Sequence, residues 1–247
     1  AFCGCFFLEY VAIGRGVSII EKDAFMGCPN LKEVNIDDLS AWCKITFSNP
    51  ILKDYHLYMN GVEIKDLVIP NNVKSIGQYA FYGCSGLTSI TIPNSVKSIG
   101  RSAFENTGWY NLNDHYILYL DNWLIGYKGN GGKPTGELVI KDGTKRIADD
   151  AFFNCTRLTS VTIPNSVKSI GGLAFWGCSG LTSVHISDLE AWCGIDFNSD
   201  SSNPLYYAHH LYLDGEDIKD LVIPNSVTSI GSSAFSGCSG LTSITIP

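Results

Sequence analysis

No stretch of the 247-residue chain is apolar for long enough to span a bilayer. The longest apolar runs, such as Cys5 to Leu8 and Tyr116 to Leu120, fall far short of the roughly 20 residues a transmembrane helix needs. The opening does not read as a secretory leader either, since Ala1 already stands inside a repeat, with Phe2 placed 23 residues before Phe25. The chain ends as abruptly, at Ile246-Pro247, so it reads as a processed piece or fragment without the polar caps that terminate a solenoid. There is no basic cluster. Lys and Arg number 17 against 24 acidic residues, the net charge is −7, and the lysines are scattered, which argues against a nucleic-acid partner.

Chemistry-bearing motifs are equally scarce. A nucleophilic site needs a histidine base beside Ser, Cys or Thr, but the five histidines (His56, His115, His185, His209, His210) accompany no nucleophile elbow, and the serines recur at repeat positions. The glycine-rich stretch 128–136 has no Lys-Ser or Lys-Thr and no following helix, so it reads as a loop rather than a phosphate cradle. His209 and His210, with Asp200 nearby, invite a metal reading, yet adjacent strand residues face opposite ways. Asp37-Asp38 and Asp149-Asp150 lack the alternating oxygen ligands of a calcium loop. The expectation is a protein with no catalytic residues, no cofactor and no metal.

What the chain does have is a period. Ala-Phe recurs at Ala1-Phe2, Ala24-Phe25, Ala80-Phe81, Ala103-Phe104, Ala151-Phe152, Ala174-Phe175 and Ala234-Phe235. Equivalent isoleucines step by 23 residues, from Ile13 to Ile36, Ile69 to Ile92 and Ile140 to Ile163. Within a repeat, LTSITIP alternates apolar and β-branched polar residues and predicts a strand with Leu87, Ile90 and Ile92 inward and Ser89 and Thr91 outward. Proline closes the strand because it has no N–H for a ladder. The return segment buries Val96 and Ile99, and the phenylalanine of Ala-Phe enters the core from the far side. Since every coil repeats the direction of the last, the strands stack in parallel, and 1–247 reads as one continuous, mainly β repeat domain.

Nine cysteines fall below the density of a disulfide scaffold. Cys5, Cys28, Cys84, Cys155, Cys178 and Cys238 all follow the repeat phenylalanine by three residues, with Thr107 in that slot in one copy. A slot shared by Cys and Thr is a small buried slot, which favours reduced thiols. The competing reading bridges Cys5 with Cys28 or Cys155 with Cys178 across stacked coils, against the torsion a disulfide requires. Cys3 has no repeat partner, and the sequon Asn154-Cys155-Thr156 falls at a buried phase.

Three segments interrupt the period, at 37–66, 106–136 and 187–220. The first opens with Asp37-Asp38 as helix caps ahead of Leu39, Trp42 and Cys43, then carries an Asn60-Gly61 hairpin signal. The second combines clustered aromatics with a hairpin around Asp121-Asn122. The third repeats the first with four residues added around Asp200: Trp42 matches Trp192, Cys43 matches Cys193, Pro50 matches Pro204 and His56 matches His210. A duplication of about 150 residues thus overlies the shorter period.

The pattern CxxLxxIxIPxxVxxIGxxAFxxC resembles the BspA-like leucine-rich repeats of bacteria, and the AWC, LYxDG and GYKGN words resemble insertions common in that family. The resemblance implies a leucine-rich-repeat solenoid, a right-handed superhelix of parallel stacked strands with short helix and hairpin insertions. It also implies an extracellular or cell-surface, adhesion-type binding module, non-catalytic, recognising a host or microbial protein or glycan. The alternative is a spacer segment of a larger surface protein. Because the family shares structural residues and varies its exposed ones, no ligand position transfers.

Stacked strands place Tyr10, Glu33, Asn35, Ser89, Thr91, Ser160, Thr162, Ser183, His185, Ser243 and Thr245 on one sheet face. With Trp109, Tyr110 and Trp123 of the second interruption they form the candidate binding surface, although aromatics in an irregular coil also serve as filling.

Overall fold

A computed structural model describes residues 1–247, the side chain of Asn130 excepted. It contains two compact units, Ala1–His115 and Tyr116–Pro247, each a β-solenoid of stacked parallel strands.

In the first unit, Tyr10–Ile13, Glu33–Ile36 and His56–Met59 pair in parallel, and Val62–Glu63 folds back on the last as the hairpin expected at Asn60-Gly61. Asp66–Val68 pairs with Ser89–Thr91. Register follows the period, Tyr10 opposite Glu33 and Glu33 opposite His56. A second column of two-residue strands, Ile19–Ile20 with Thr46–Phe47 and Ser75–Ile76 with Ser98–Ile99, forms the return side of the coils. Leu87, Ile90, Ile92, Val96 and Ile99 are buried, and Ser89 and Thr91 are exposed. Two short helices interrupt the stack. In α1 (Leu39–Trp42) the Asp38 carboxylate accepts the Ala41 amide, and in α2 (Gly108–Leu112) the Thr107 hydroxyl accepts the Tyr110 amide.

The second unit repeats this scheme. Thr135–Val139, Arg157–Thr162, Ser183–Ile186 and Leu211–Leu213 stack in parallel, closed by the antiparallel Glu216–Asp217. The return column runs from Trp123–Tyr127 through Arg146–Ile147 and Ser169–Ile170 to Asp196–Phe197. Ile117–Leu120 pairs antiparallel with Trp123–Tyr127, the hairpin expected at Asp121-Asn122. The helix α3 (Leu189–Cys193) is capped by Asp188, and α4 (Leu205–Ala208) follows Pro204.

Phenylalanines ladder along the core, with Phe81 stacked on Phe104 at 5.6 Å and Phe152 on Phe175 at 5.3 Å. The repeat-phenylalanine amide donates to the alanine carbonyl one coil on, as from Phe81 to Ala103 (2.9 Å) and Phe152 to Ala174 (2.8 Å). The coils built from 37–66 and 187–220 lack Ala-Phe, and a tryptophan takes over that role. The Trp42 indole donates to the Ala80 carbonyl at 2.8 Å, and the Trp192 indole to Ala234 at 3.0 Å. Trp42 thereby pairs a carbonyl that would otherwise be left without a partner, whereas the Ala234 carbonyl also accepts from the Asn203 side-chain amide at 3.0 Å.

All nine cysteines are free. The thiol of Cys178 donates to the Phe152 carbonyl of the preceding coil at 3.2 Å and that of Cys28 to Phe2 at 3.1 Å, while the Thr107 hydroxyl in the same slot donates to the Phe104 carbonyl of its own coil at 2.8 Å, so either small donor is satisfied there. Burial pushes the Cys84 and Cys43 thiols up to about 12. Cys5 departs from the expectation, being exposed like Cys3, because no coil of the unit lies over it. Asn154 is also exposed, correcting the buried phase read for the sequon; only Cys155 beside it points inward.

Candidate recognition surface

The sheet-face residues stand where the alternation puts them. Tyr10, Glu33, Ser89, Thr91, Ser243 and Thr245 are exposed, and Asn35, Ser160, Thr162, Ser183 and His185 are half-buried. In the first unit the parallel pairing sets Tyr10 beside Glu33 and Asn35 beside Tyr58. In the second, Ser160 lies beside Ser183 and Thr162 beside His185. The His185 ring stacks on Tyr212 at 4.8 Å and contacts the Ser183 hydroxyl at 3.0 Å. Several of these polar groups are already engaged within the sheet. Asp220, for example, accepts from the Ser243 hydroxyl at 2.6 Å and from Thr242 at 3.0 Å, and its carboxyl is held below the usual carboxylate range by those bonds.

The insert aromatics fare differently. Trp123, only 2% exposed, lies inside its strand beneath Arg146, whose guanidinium sits 5.6 Å from the ring. Tyr110 is 9% exposed on α2. Both are removed from the candidate surface: a tightly capped helix and an inward strand position turn their rings to the core. Trp109 is half-buried, its ring edge-on to Phe104 at 6.4 Å.

A cluster of exposed aromatics that the interruptions did not announce lies in the second unit, while Phe6, Phe7 and Tyr10 stand exposed in the first. Trp176 and Tyr206 are each 40% exposed, and Tyr207 is half-buried beside them. Trp176 occupies the variable position of Ala-Phe-x-Gly-Cys, which points outward because Gly177 adopts φ +74° and turns the chain back into the core. Tyr206 and Tyr207 come from α4. The Trp176 and Tyr206 centroids are 6.2 Å apart with planes tilted by 35°, while Tyr207 meets them nearly edge-on, at 73° and 72°. Residue type and spacing did not single out this cluster, because Trp176 occupies a repeat position and Tyr206-Tyr207, although inside the 187–220 interruption, carry no motif of their own. The signal was the duplication: the matching residues of the first copy are Met26, Leu52 and Lys53. There the same corner is a cavity of about 390 Å³ bordered by Met26, Pro50, Leu52, Lys53 and Tyr82.

Two hairpins carry matched histidine–carboxylate contacts, His56 with Glu63 at 2.5 Å and His210 with Asp217 at 3.3 Å. The histidine contact holds the Glu63 carboxyl below its usual range. These pairs tie the two arms of each hairpin, which accounts for the matched HLY words. His209 adopts φ +62° at the end of α4 and contacts the Gly237 carbonyl through Nδ1 at 2.8 Å. Among the described residues no group of three or more His, Cys, Asp or Glu is placed to hold a metal ion, and no helix is long and apolar enough to cross a membrane.

No curated protein matches the chain. Among solved structures, a leucine-rich repeat protein from Bacteroides ovatus is 22% identical, over 100% of this chain and 69% of its own, with a TM-score of 0.35. A leucine rich cell surface protein from Faecalibacterium prausnitzii is 23% identical, over 96% and 78%, with a TM-score of 0.31. A leucine-rich repeat protein from Eubacterium ventriosum is 20% identical, over 97% and 73%, with a TM-score of 0.35. The model of the BspA type leucine rich repeat region matches in six copies, over residues 1–60, 51–115, 132–197 and 209–247. With Cys, Ile and Phe of those repeats packed in the phases just described, the chain belongs to the BspA-type leucine-rich repeat family.

Proposed function

We propose that the chain is a non-catalytic recognition module, extracellular or at the cell surface, that binds a protein or glycan. The observation carrying this reading is the Trp176–Tyr206–Tyr207 cluster. A solvated aromatic group is an anchor when packing does not require it, and the first copy of the duplication builds the same coil with Met26, Leu52 and Lys53 instead. The hydroxylated sheet face, including Ser160, Thr162, Ser183 and His185, offers a second, weaker set of polar contacts. Membership of a family of bacterial surface proteins supports the location and an adhesion-type role. A spacer without a ligand of its own is the second reading, and the burial of Tyr110 and Trp123 favours it for segment 106–136.

The test is binding of the folded chain to a panel of extracellular matrix proteins and glycans. Saturable binding weakened by Trp176→Met supports recognition through the cluster. A folded chain that binds nothing on the panel supports the spacer.

A further inference from the structure

We infer that the Trp176–Tyr206 platform binds a neutral pyranose oligosaccharide by ring stacking, an assignment that rests on the recognition reading above and specifies its ligand. Three observations carry it. First, two exposed rings rather than one stand together, tilted by 35° at 6.2 Å, and Tyr207 meets both nearly at right angles at 6.1 Å and 5.2 Å. The faces are thereby set before a ligand arrives, which lowers the ordering cost of binding. Aromatic faces carry negative quadrupole charge and attract the C–H face of a sugar ring, whereas a hot spot for a protein is typically a side chain enclosed in a pocket.

Second, the polar atoms of the cluster are unspent. Among the described residues the indole N–H of Trp176 and the hydroxyls of Tyr206 and Tyr207 have no hydrogen-bond partner. The structural tryptophans contrast with this, because Trp42 and Trp192 donate to Ala80 and Ala234. Likewise Tyr116 and Tyr119, in the same unit as the cluster, spend their hydroxyls on the Gly132 carbonyl and the Lys141 amide. A sugar presents hydroxyls around an apolar face, and the cluster presents an N–H and two phenols around an apolar platform. Asn154, exposed and joined through its amide N–H to the Trp176 carbonyl at 2.6 Å, sets a neutral backbone-anchored neighbour at the rim.

Third, charge selects against the acidic sugars. The three groups offered by the rings are neutral, the Lys133 ammonium at the rim is engaged by the Asn154 carbonyl at 2.8 Å, and the net charge of −7 disfavours sialylated or sulfated chains relative to neutral ones.

The experiment titrates the chain with cellohexaose, chitohexaose and mannohexaose, with sialyllactose as the anionic control, following tryptophan fluorescence and heat. Saturable binding of at least one neutral oligomer is expected, weakened at least about tenfold in Trp176→Met and in Tyr206→Leu, as for an anchor residue. Both replacements install first-copy residues that the fold already accommodates. Tyr206→Phe keeps the ring and removes the hydroxyl, so an intermediate loss there reports the rim contact and guards against misfolding of the larger changes. Failure of all three neutral oligomers to bind the folded parent, or binding undiminished in Trp176→Met and Tyr206→Leu, overturns the inference. If a matrix protein binds through these rings and no oligosaccharide competes, the glycan assignment falls and the recognition reading stands. If neither class binds, both fall.

Discussion

Replacing Trp42 and Trp192 in turn by phenylalanine separates two roles that the same residue plays in matched coils. Each indole is 1% exposed and packs edge-on to a phenylalanine, Phe47 at 5.2 Å and Phe197 at 5.3 Å. The packing loss on truncation to a phenyl ring is therefore nearly common to both. The fate of the carbonyl differs. Ala80 has the Trp42 indole as its donor, so Trp42→Phe removes a hydrogen bond and leaves a buried C=O without a partner, at about 1–3 kcal/mol. Ala234 also accepts from the Asn203 amide at 3.0 Å, so Trp192→Phe loses one of two bonds, at about 0.5–1.5 kcal/mol net. Trp42→Phe is thus expected to destabilise more, by about 1 kcal/mol, in urea unfolding followed by far-ultraviolet circular dichroism at unchanged slope. Equal costs, or a larger cost for Trp192→Phe, would show that the tryptophans fill space and that pairing the alanine carbonyl is incidental.

Further outcomes follow from single positions. Leu173 adopts φ +55°, the conformation held in matching turns by Asp23, Asp150, Ser102 and Ser233, and its side chain is 40% exposed. Leu173→Asn should stabilise the chain by about 0.5–1 kcal/mol, because a left-handed leucine costs roughly 1 kcal/mol and asparagine tolerates that region; a loss of thermal stability would contradict this. Only Cys3 and Cys5 are exposed among nine free thiols, so a thiol reagent should modify two groups rapidly in the native chain and nine after denaturation. A mass two units lower per bridge in the absence of reductant would reveal disulfides instead. The Glu63 carboxyl is depressed by its contact with His56, so its contribution to stability is present above the unfolded carboxylate range and disappears as pH falls through the lower folded value. Glu63→Gln should therefore lower the unfolding midpoint at neutral pH and match the parent in strong acid; a uniform offset at every pH would refute the pairing.

Most of the architecture was legible because each repeat position answers to one physical demand. Ile90 and Val96 follow the inward alternation, Asp38 sits three residues before the Ala41 amide it caps, and Asn60-Gly61 supplies the positive φ of 53° and 77° that its turn needs. The surface was less legible, since periodicity reports which side of a strand is inward but not whether an irregular segment covers it. Trp123 and Tyr110, aromatic and in an insertion, had the composition of a binding loop, and a hairpin strand and a capped helix turned them inward. Trp176 had the opposite disguise, an aromatic within a packing word whose outward direction depends on the left-handed Gly177 beside it. Comparing the two halves of the duplication separates these cases: positions that pack, such as Trp42 and Trp192, keep their identity, while Met26 and Trp176, or Leu52 and Tyr206, diverge.

The assignment of function to that divergent corner stands or falls on one comparison, the binding of the parent chain and of the triple variant Trp176→Met, Tyr206→Leu, Tyr207→Lys to the same panel of glycans and matrix proteins. The expected result is saturable binding by the parent and none by the variant, which keeps the parent's circular dichroism spectrum while losing some stability through the half-buried, core-packed Tyr207. Binding by a variant that lacks all three rings, at the affinity of the parent, would place recognition elsewhere on the molecule.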